Sequence, residues 1–203
     1  MMKFLTMLKY PTLSGIYLPF KIWHTSGIKI KSTAQVQLGG RINLGNPDKR
    51  RAVVSLLPIN IYFGENSKIN IGHSVSIGPG VNIIVKDNAK LSIGNNTYFT
   101  SDMHIEVVNA LSIGRDCAIS WGVTIIDDDH HEILGTEKKE RKNSIVSIGN
   151  KVWIGCNVTV LKNTHIGNNC VIAAGSIVKG DFADNSLIAG NPAKIVKQNI
   201  DWK

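Results

Sequence analysis

Between residues 146 and 181, small or aliphatic side chains stand six residues apart at Val146, Val152, Val158, Thr164, Cys170 and Ser176, each two residues ahead of an aliphatic one. A period of six matches neither the stripe of an amphipathic helix nor the alternation of a long hairpin. It suits a chain that turns a corner after each short strand and sends one small side chain inward at every turn. Such a chain winds into a parallel β-helix, an all-β fold.

The same register runs upstream, where Ile-Gly or Leu-Gly pairs mark turns at Gly39, Gly45, Gly72, Gly78, Gly94 and Gly114. Asn, Asp and Gly crowd the corners, as in Gly94-Asn95-Asn96 and Gly167-Asn168-Asn169, and these residues accept left-handed backbone and tight turns. Equivalent glycines measure the coil: Gly72 to Gly94 is 22 residues, Gly94 to Gly114 is 20 and Gly149 to Gly167 is 18. One coil is therefore about three hexads with small corner insertions. From Gly114 to Gly149 the step is 35, which leaves 17 residues beyond an 18-residue coil. The strongly charged segment 127–143, DDDHHEILGTEKKERKN, breaks the hexads there and predicts a protruding loop. Long excursions from a rigid scaffold carry function disproportionately.

Three segments follow: an N-terminal cap over 1–35, the solenoid with its loop over 36–190, and a tail over 191–203. In the tail, Leu187-Ile188-Ala189-Gly190 reads as one more strand. Asn191-Pro192 then looks like an N-cap with proline at the first helical position, predicting a short amphipathic helix from Ala193 to about Trp202. The N-terminal stretch FLTMLKYPTLSGIYLPFKIW is apolar, yet Pro11 and Pro19 interrupt it and Lys9 and Lys21 charge it. It reads as neither a spanning helix nor a signal peptide. A cap on the open solenoid end is expected, with docking to a membrane surface as the alternative.

At 203 residues and 43% hydrophobic composition, the chain can fill one elongated core. Cys117 and Cys170 fall on the inward hexad position, where a small apolar side chain packs, and read as reduced core residues. Cys156 lies elsewhere in its hexad, and no zinc-type Cys or His spacing occurs. The net charge of +8 does not argue for nucleic acid, because the basic residues are scattered without aromatic interleaving or a recognition helix. An acidic small molecule, an anionic glycan or a membrane surface accounts for the charge equally well.

The stretch VWIGCNVTVLKNTHIGNNCVIAAGSIV followed by IAGNPAKIV resembles the hexapeptide-repeat acyltransferases of the left-handed parallel β-helix superfamily, among them galactoside and maltose acetyltransferases. The resemblance covers roughly residues 69 to 200. DDDHHEI followed by NPAKIVKQNIDW looks most like the bacterial polysaccharide O-acetyltransferases, including those acting on capsule and polysialic acid. The resemblance implies a left-handed solenoid and a homotrimer with acetyl-CoA along the groove between neighbours. It also implies O-acetyl transfer to a sugar hydroxyl of a glycan or polysaccharide. The expected location is the cytoplasm, where the N-terminal segment could meet the inner face of the membrane.

In that family a loop histidine is the general base, taking the acceptor proton while the oxygen attacks the thioester directly, without an acyl-enzyme. The Asp-x-His-x-Ile pattern falls on Asp129, His131 and Ile133, which makes His131 the candidate base; an ungapped comparison with galactoside acetyltransferases selects His130 instead. Imidazole suits the task because it titrates near neutrality, and a positioned histidine contributes typically ~10²- to 10⁴-fold in rate. A carboxylate on the far ring nitrogen would fix its tautomer, a role for Asp129, with Asp127 and Glu132 also open. For acetyl-CoA, the resemblance implies that Trp153 lines the groove and that Cys156 and Ala174 meet the pantetheine arm through the main chain. Lys179, Lys194 and Lys197 then fall near the nucleotide end, where lysine supplies charge to a phosphate.

Other readings of the same residues are an N-acetyltransferase acting on an amino-sugar nucleotide and a scaffold without catalysis. A third is a metal site built from Asp127 to His131, after the γ-class carbonic anhydrases of this fold. The remaining histidines, His24, His73, His104 and His165, are dispersed, so a base without metal is the expectation.

Overall fold

The structure, a computed structural model, describes residues 20–22, 25–40, 42–44, 57–131 and 144–203. Most of the cap expected over 1–35 and much of the 127–143 loop, including Glu132 and Ile133, lie outside the described residues. Among the described residues every regular element is a β-strand.

Each coil contributes three strands, and each strand pairs in parallel with its counterpart one coil on. Ile59–Phe63, Lys68–Ile71 and Val75–Ile77 are followed by Asn82–Val85, Lys90–Ile93 and Tyr98–Phe99 in direct register. Three faces result. The first runs from Thr25–Ile30 through Ile59–Phe63, Asn82–Val85 and His104–Val107 to Thr124–Ile126. The second runs from Gln35–Leu38 to Ile145–Ile148, and the third is a nine-stranded sheet that includes Trp153–Ile154 and ends on Ala193–Gln198. In the upper coils, Thr159–Ile166 and Ile177–Phe182 run unbroken around the edge between the first and second faces.

Register explains the spacings. The buried column Ile61, Ile83, Ile105, Ile125, Val160 and Val178 advances by 22, 22, 20, 35 and 18 residues. The 35-residue step holds the charged loop, which leaves after Ile126 on the first face and returns at Ile145 on the second. All six hexad residues from Val146 to Ser176 are buried, as are Cys117 and Cys170, and all three cysteines are free thiols. Polar members of the inward set satisfy themselves within their own turn. Thr164 Oγ1 donates to the Leu161 carbonyl at 2.6 Å and Ser176 Oγ to that of Ala173 at 2.7 Å.

The corner residues do the turning. Asn66, Asn88, Asn96, Asn157, Asn163, Asn169 and Asn185 all sit in left-handed backbone, which Asn tolerates better than most residues. A second device is a ladder of side-chain acceptors. Asn150 Oδ1 takes the Arg115 N–H at 3.0 Å, Asn168 Oδ1 that of Asn150 at 2.9 Å, and Asp184 Oδ1 that of Asn168 at 2.7 Å. Glycine is required where coils meet at that edge, because a Cβ on Gly94 would stand 2.5 Å from the Arg115 nitrogen.

The C-terminal helix expected from Ala193 is not there. Ala193–Gln198 is a strand paired antiparallel with Ser186–Gly190, and the Asn191–Pro192 peptide, in cis, sits in the reversal between them. Pairing gives the backbone groups of the last solenoid strand partners, and the β-branched Ile195-Val196 pair suits a strand. Only Ala193 of this strand is buried, so it covers an edge rather than extending the core.

Candidate active site

The loop is fastened at both feet. Asp127, the first residue past the strand Thr124–Ile126, is 1% exposed and accepts three backbone N–H groups from the coil below: Val108 at 2.7 Å, Asn109 at 2.8 Å and Ala110 at 2.7 Å. Burial pushes its carboxyl up, against the downward pull of those three donors. At the returning foot, Ser144 Oγ donates to the Asp127 carbonyl and receives Asn109 Nδ2 at 3.3 Å. Asp127 is thus committed to closing a corner and has no oxygen turned to a histidine.

Past this clamp the structure brings Asp129 and His131 together, but through the main chain. His131 is exposed, and its Nδ1 lies 3.3 Å from the Asp129 carbonyl oxygen. With the proton on Nδ1 donated to that carbonyl, the lone pair resides on Nε2. The Asp129 carboxylate turns instead to Lys162 Nζ at 2.5 Å, which ties the loop to the strand Thr159–Ile166 of the coil above. His130 points elsewhere. Its backbone is left-handed at φ 59, its N–H donates to Asp128 Oδ1 at 2.7 Å, and its Nε2 stands 3.5 Å from Glu106 Oε2.

Glu106 was not singled out by sequence reasoning. It sits on the first face, where Lys86 Nζ meets it at 2.9 Å and His104 Nε2 at 3.7 Å. Burial raises its pKa, but the Lys86 hydrogen bond and charge, with His130 and His104, outweigh it, so the carboxyl lies below its ordinary value. The signal available was an acidic residue at an outward position of the strand HIEV, two residues after a histidine on the same face. His104 lies on the same strand, but Lys86 comes from the coil below and His130 from the loop above, so the full cluster leaves no local pattern.

The residues matched to the acyl donor fall on other parts of the solenoid. Half-buried Cys156 and exposed Ala174 share the edge between the third and first faces, where the Gly175 N–H donates to the Cys156 carbonyl at 2.9 Å. One coil below on this edge is Trp121, 42% exposed, whose carbonyl takes the Asn157 N–H at 3.0 Å. Trp153, 44% exposed, is on the third face, with the Trp202 ring centroid 6.1 Å away. Lys194 and Lys197 share the antiparallel strand of that face, whereas Lys179 lies on Ile177–Phe182, at the edge from which the loop springs. All three lysines are exposed. Within one chain, then, the loop histidines and Trp153 occupy different faces.

Among the described residues no group of three or more His, Cys, Asp or Glu is placed to hold a metal ion, and no helix is long and apolar enough to cross a membrane.

A parallel solenoid with 18-residue upper coils agrees with the sequence profile described as bacterial transferase hexapeptide (six repeats), which matches residues 145–180. A protein of Escherichia coli strain K12 assigned to lipopolysaccharide biosynthesis as an O-acetyl transferase, WbbJ, is 33% identical over 147 residues, spanning 68% of this chain and 75% of its own. The chain belongs to the hexapeptide-repeat acetyltransferases. The polysialic acid O-acetyltransferase of Escherichia coli O1:K1 is 37% identical over 125 residues, 59% of this chain and 40% of that one. Among solved structures, the polysialic acid O-acetyltransferase OatWY superposes with a TM-score of 0.55 at 27% identity, covering 91% of this chain and 90% of its own.

Proposed function

We propose that this acetyltransferase moves an acetyl group from acetyl-CoA to a sugar hydroxyl of a glycan or polysaccharide, with His131 as general base. The observation that carries the assignment is the exposed His131 ring, whose Nδ1 lies 3.3 Å from the Asp129 carbonyl oxygen and whose Nε2 has no partner among the described residues. Nε2 takes the hydroxyl proton as the acceptor oxygen attacks the thioester carbonyl carbon. The tetrahedral intermediate then collapses with loss of the C–S bond, and the imidazolium returns the proton to the departing sulfur. In this arrangement the carbonyl of Asp129, rather than its carboxylate, sets the tautomer. O-acetyl transfer to a polymer is supported by the names of WbbJ and the polysialic acid enzymes.

His130 is the second reading, favoured by its approach to Glu106, which would supply a carboxylate to stabilise an imidazolium. The two readings differ in which histidine abolishes turnover when removed.

The separation of the loop from Trp153 supports a homotrimer of left-handed solenoids, in which the loop of one copy faces the third face of the next. Acetyl-CoA would then lie along Trp153, Cys156 and Ala174, with Lys179, Lys194 and Lys197 toward its phosphates. The test is acetyl-CoA turnover, followed by thiol release, against a panel of sugars, oligosaccharides and amino-sugar nucleotides, alongside light scattering. Acetylation of hydroxyl acceptors by a species of trimer mass is expected. Turnover restricted to amines, or a monomeric active species, contradicts the proposal.

A further inference from the structure

Past the strand Ala193–Gln198 the chain turns at Asn199, φ 57, and runs back down the edge between the second and third faces. The Ile200 N–H donates to the Asn185 carbonyl at 3.0 Å, and Asn169 Nδ2 donates to the Ile200 carbonyl at 3.0 Å. Lys151 Nζ then meets Asp201 Oδ1 at 2.6 Å, and Trp202 Nε1 donates to the Lys151 carbonyl at 2.8 Å. Asn185, Asn169 and Lys151 belong to the same corner of three successive coils, since Asn185 N–H bonds Asn168 O and Asn169 N–H bonds Asn150 O. The tail is a strap across three coils. Each of three consecutive residues, Ile200, Asp201 and Trp202, has a partner on the solenoid.

The strap ends on Trp153. The two indoles are 6.1 Å apart and tilted by 46°, within the separation at which aromatic pairs attract beyond simple burial. Trp153 leaves 44% of its surface to solvent, while Trp202 is part-buried, so the inner ring braces one that remains open to a ligand.

We infer that Trp202 is a positioning residue of the acetyl-transfer site: through the strap its indole holds the Trp153 ring in the orientation that forms the wall of the acyl-donor groove. This rests on the assignment of Trp153 to that groove made above. Trp202 touches no reacting atom. It acts only through its neighbour, and that makes its effect distinguishable from a direct contact.

The experiment is steady-state kinetics on W202A, W202F, W153A and the double variant W153A/W202A, with thermal melting of each. W202A should raise KM for acetyl-CoA by about two- to tenfold, the worth of an aromatic pair, with kcat changed by less than about twofold. W202F, which keeps a ring but loses the bond to Lys151, should restore most of that loss. The double variant should be no worse than W153A alone, because a residue acting through Trp153 has nothing left to position. A W202A enzyme with wild-type KM, beside a W153A enzyme with raised KM, overturns the inference. So do additive effects in the double variant, or a W202F enzyme as impaired as W202A. If W153A itself leaves KM unchanged, the groove assignment falls and this inference falls with it.

Discussion

Replacing Asp127 tests whether the loop is held to the solenoid as described. Its two carboxylate oxygens accept three backbone N–H groups at 2.7 to 2.8 Å from a buried position. In Asp127→Asn one oxygen can still serve Asn109 and Ala110, but the amide nitrogen then confronts the Val108 N–H, donor against donor. One bond is lost, two lose their charge assistance, and the cost is about 2 kcal/mol. In Asp127→Ala all three donors are orphaned in a site with little access to water, costing about 4 kcal/mol. The readout is hydrogen exchange at Val108, Asn109 and Ala110, because opening at the corner exposes those amides before the core yields. Their exchange should quicken by about thirtyfold in the Asn variant and by several hundredfold in the Ala variant. Asp129→Asn is the control, removing a partly exposed ion pair with Lys162 and costing under about 1 kcal/mol. Exchange in Asp127→Ala no faster than in Asp129→Asn would refute the clamp.

Glu106→Gln should flatten the acid limb of the stability curve. A carboxyl whose folded pKa lies below its unfolded value contributes stability above the unfolded value and loses it as pH falls through the folded one, so urea melts should separate wild type from variant near neutrality and converge in acid. Separate alanine substitutions of Lys179, Lys194 and Lys197 should each weaken CoA binding by about 0.5 to 2 kcal/mol in calorimetry, less at high salt. Unchanged affinity in the triple variant would assign those charges to another partner. Gly149→Ala should cost about 2 kcal/mol or more, since its Cβ would stand 2.7 Å from the Gly167 carbonyl carbon. Gly175→Ala should cost only about 1 kcal/mol, because no neighbour lies within 4 Å and the penalty is its left-handed φ alone. Equal urea midpoints for these two variants would count against close approach as the reason for glycine at that edge.

The solenoid was legible because its physics is local. A hexad sends one small residue inward and a glycine marks each close approach of coils, so Val146 to Ser176 and the glycine spacings predicted both the repeat and the place of the insertion. The loop's start was equally plain, since Ile126 ends a strand and Asp127 breaks the pattern. What was not legible depends on contacts one or more coils away. The Asp127 carboxylate spends itself on amides 17 to 19 residues upstream, and Trp202 reaches back 51 residues to Lys151. Glu106 gathers Lys86, His104 and His130 across three coils, with no motif to announce it. The C-terminal error has a different cause. Asn-Pro-Ala opens a helix or turns a hairpin equally well, and the unpaired edge of the last solenoid strand decided the matter. The three lysines, grouped by sequence on the last coil and tail, divide between faces because the hairpin carries Lys194 and Lys197 away from Lys179.

The measurement closest to the central claim is turnover of His131→Ala and His130→Ala beside their affinity for acetyl-CoA. If His131 takes the acceptor proton, its loss lowers kcat by about 10²-fold or more and leaves acetyl-CoA binding nearly intact, while His130→Ala keeps most of the activity. A His131→Ala enzyme that turns over normally, with activity lost in His130→Ala instead, would contradict the account and move the base to the histidine beside Glu106.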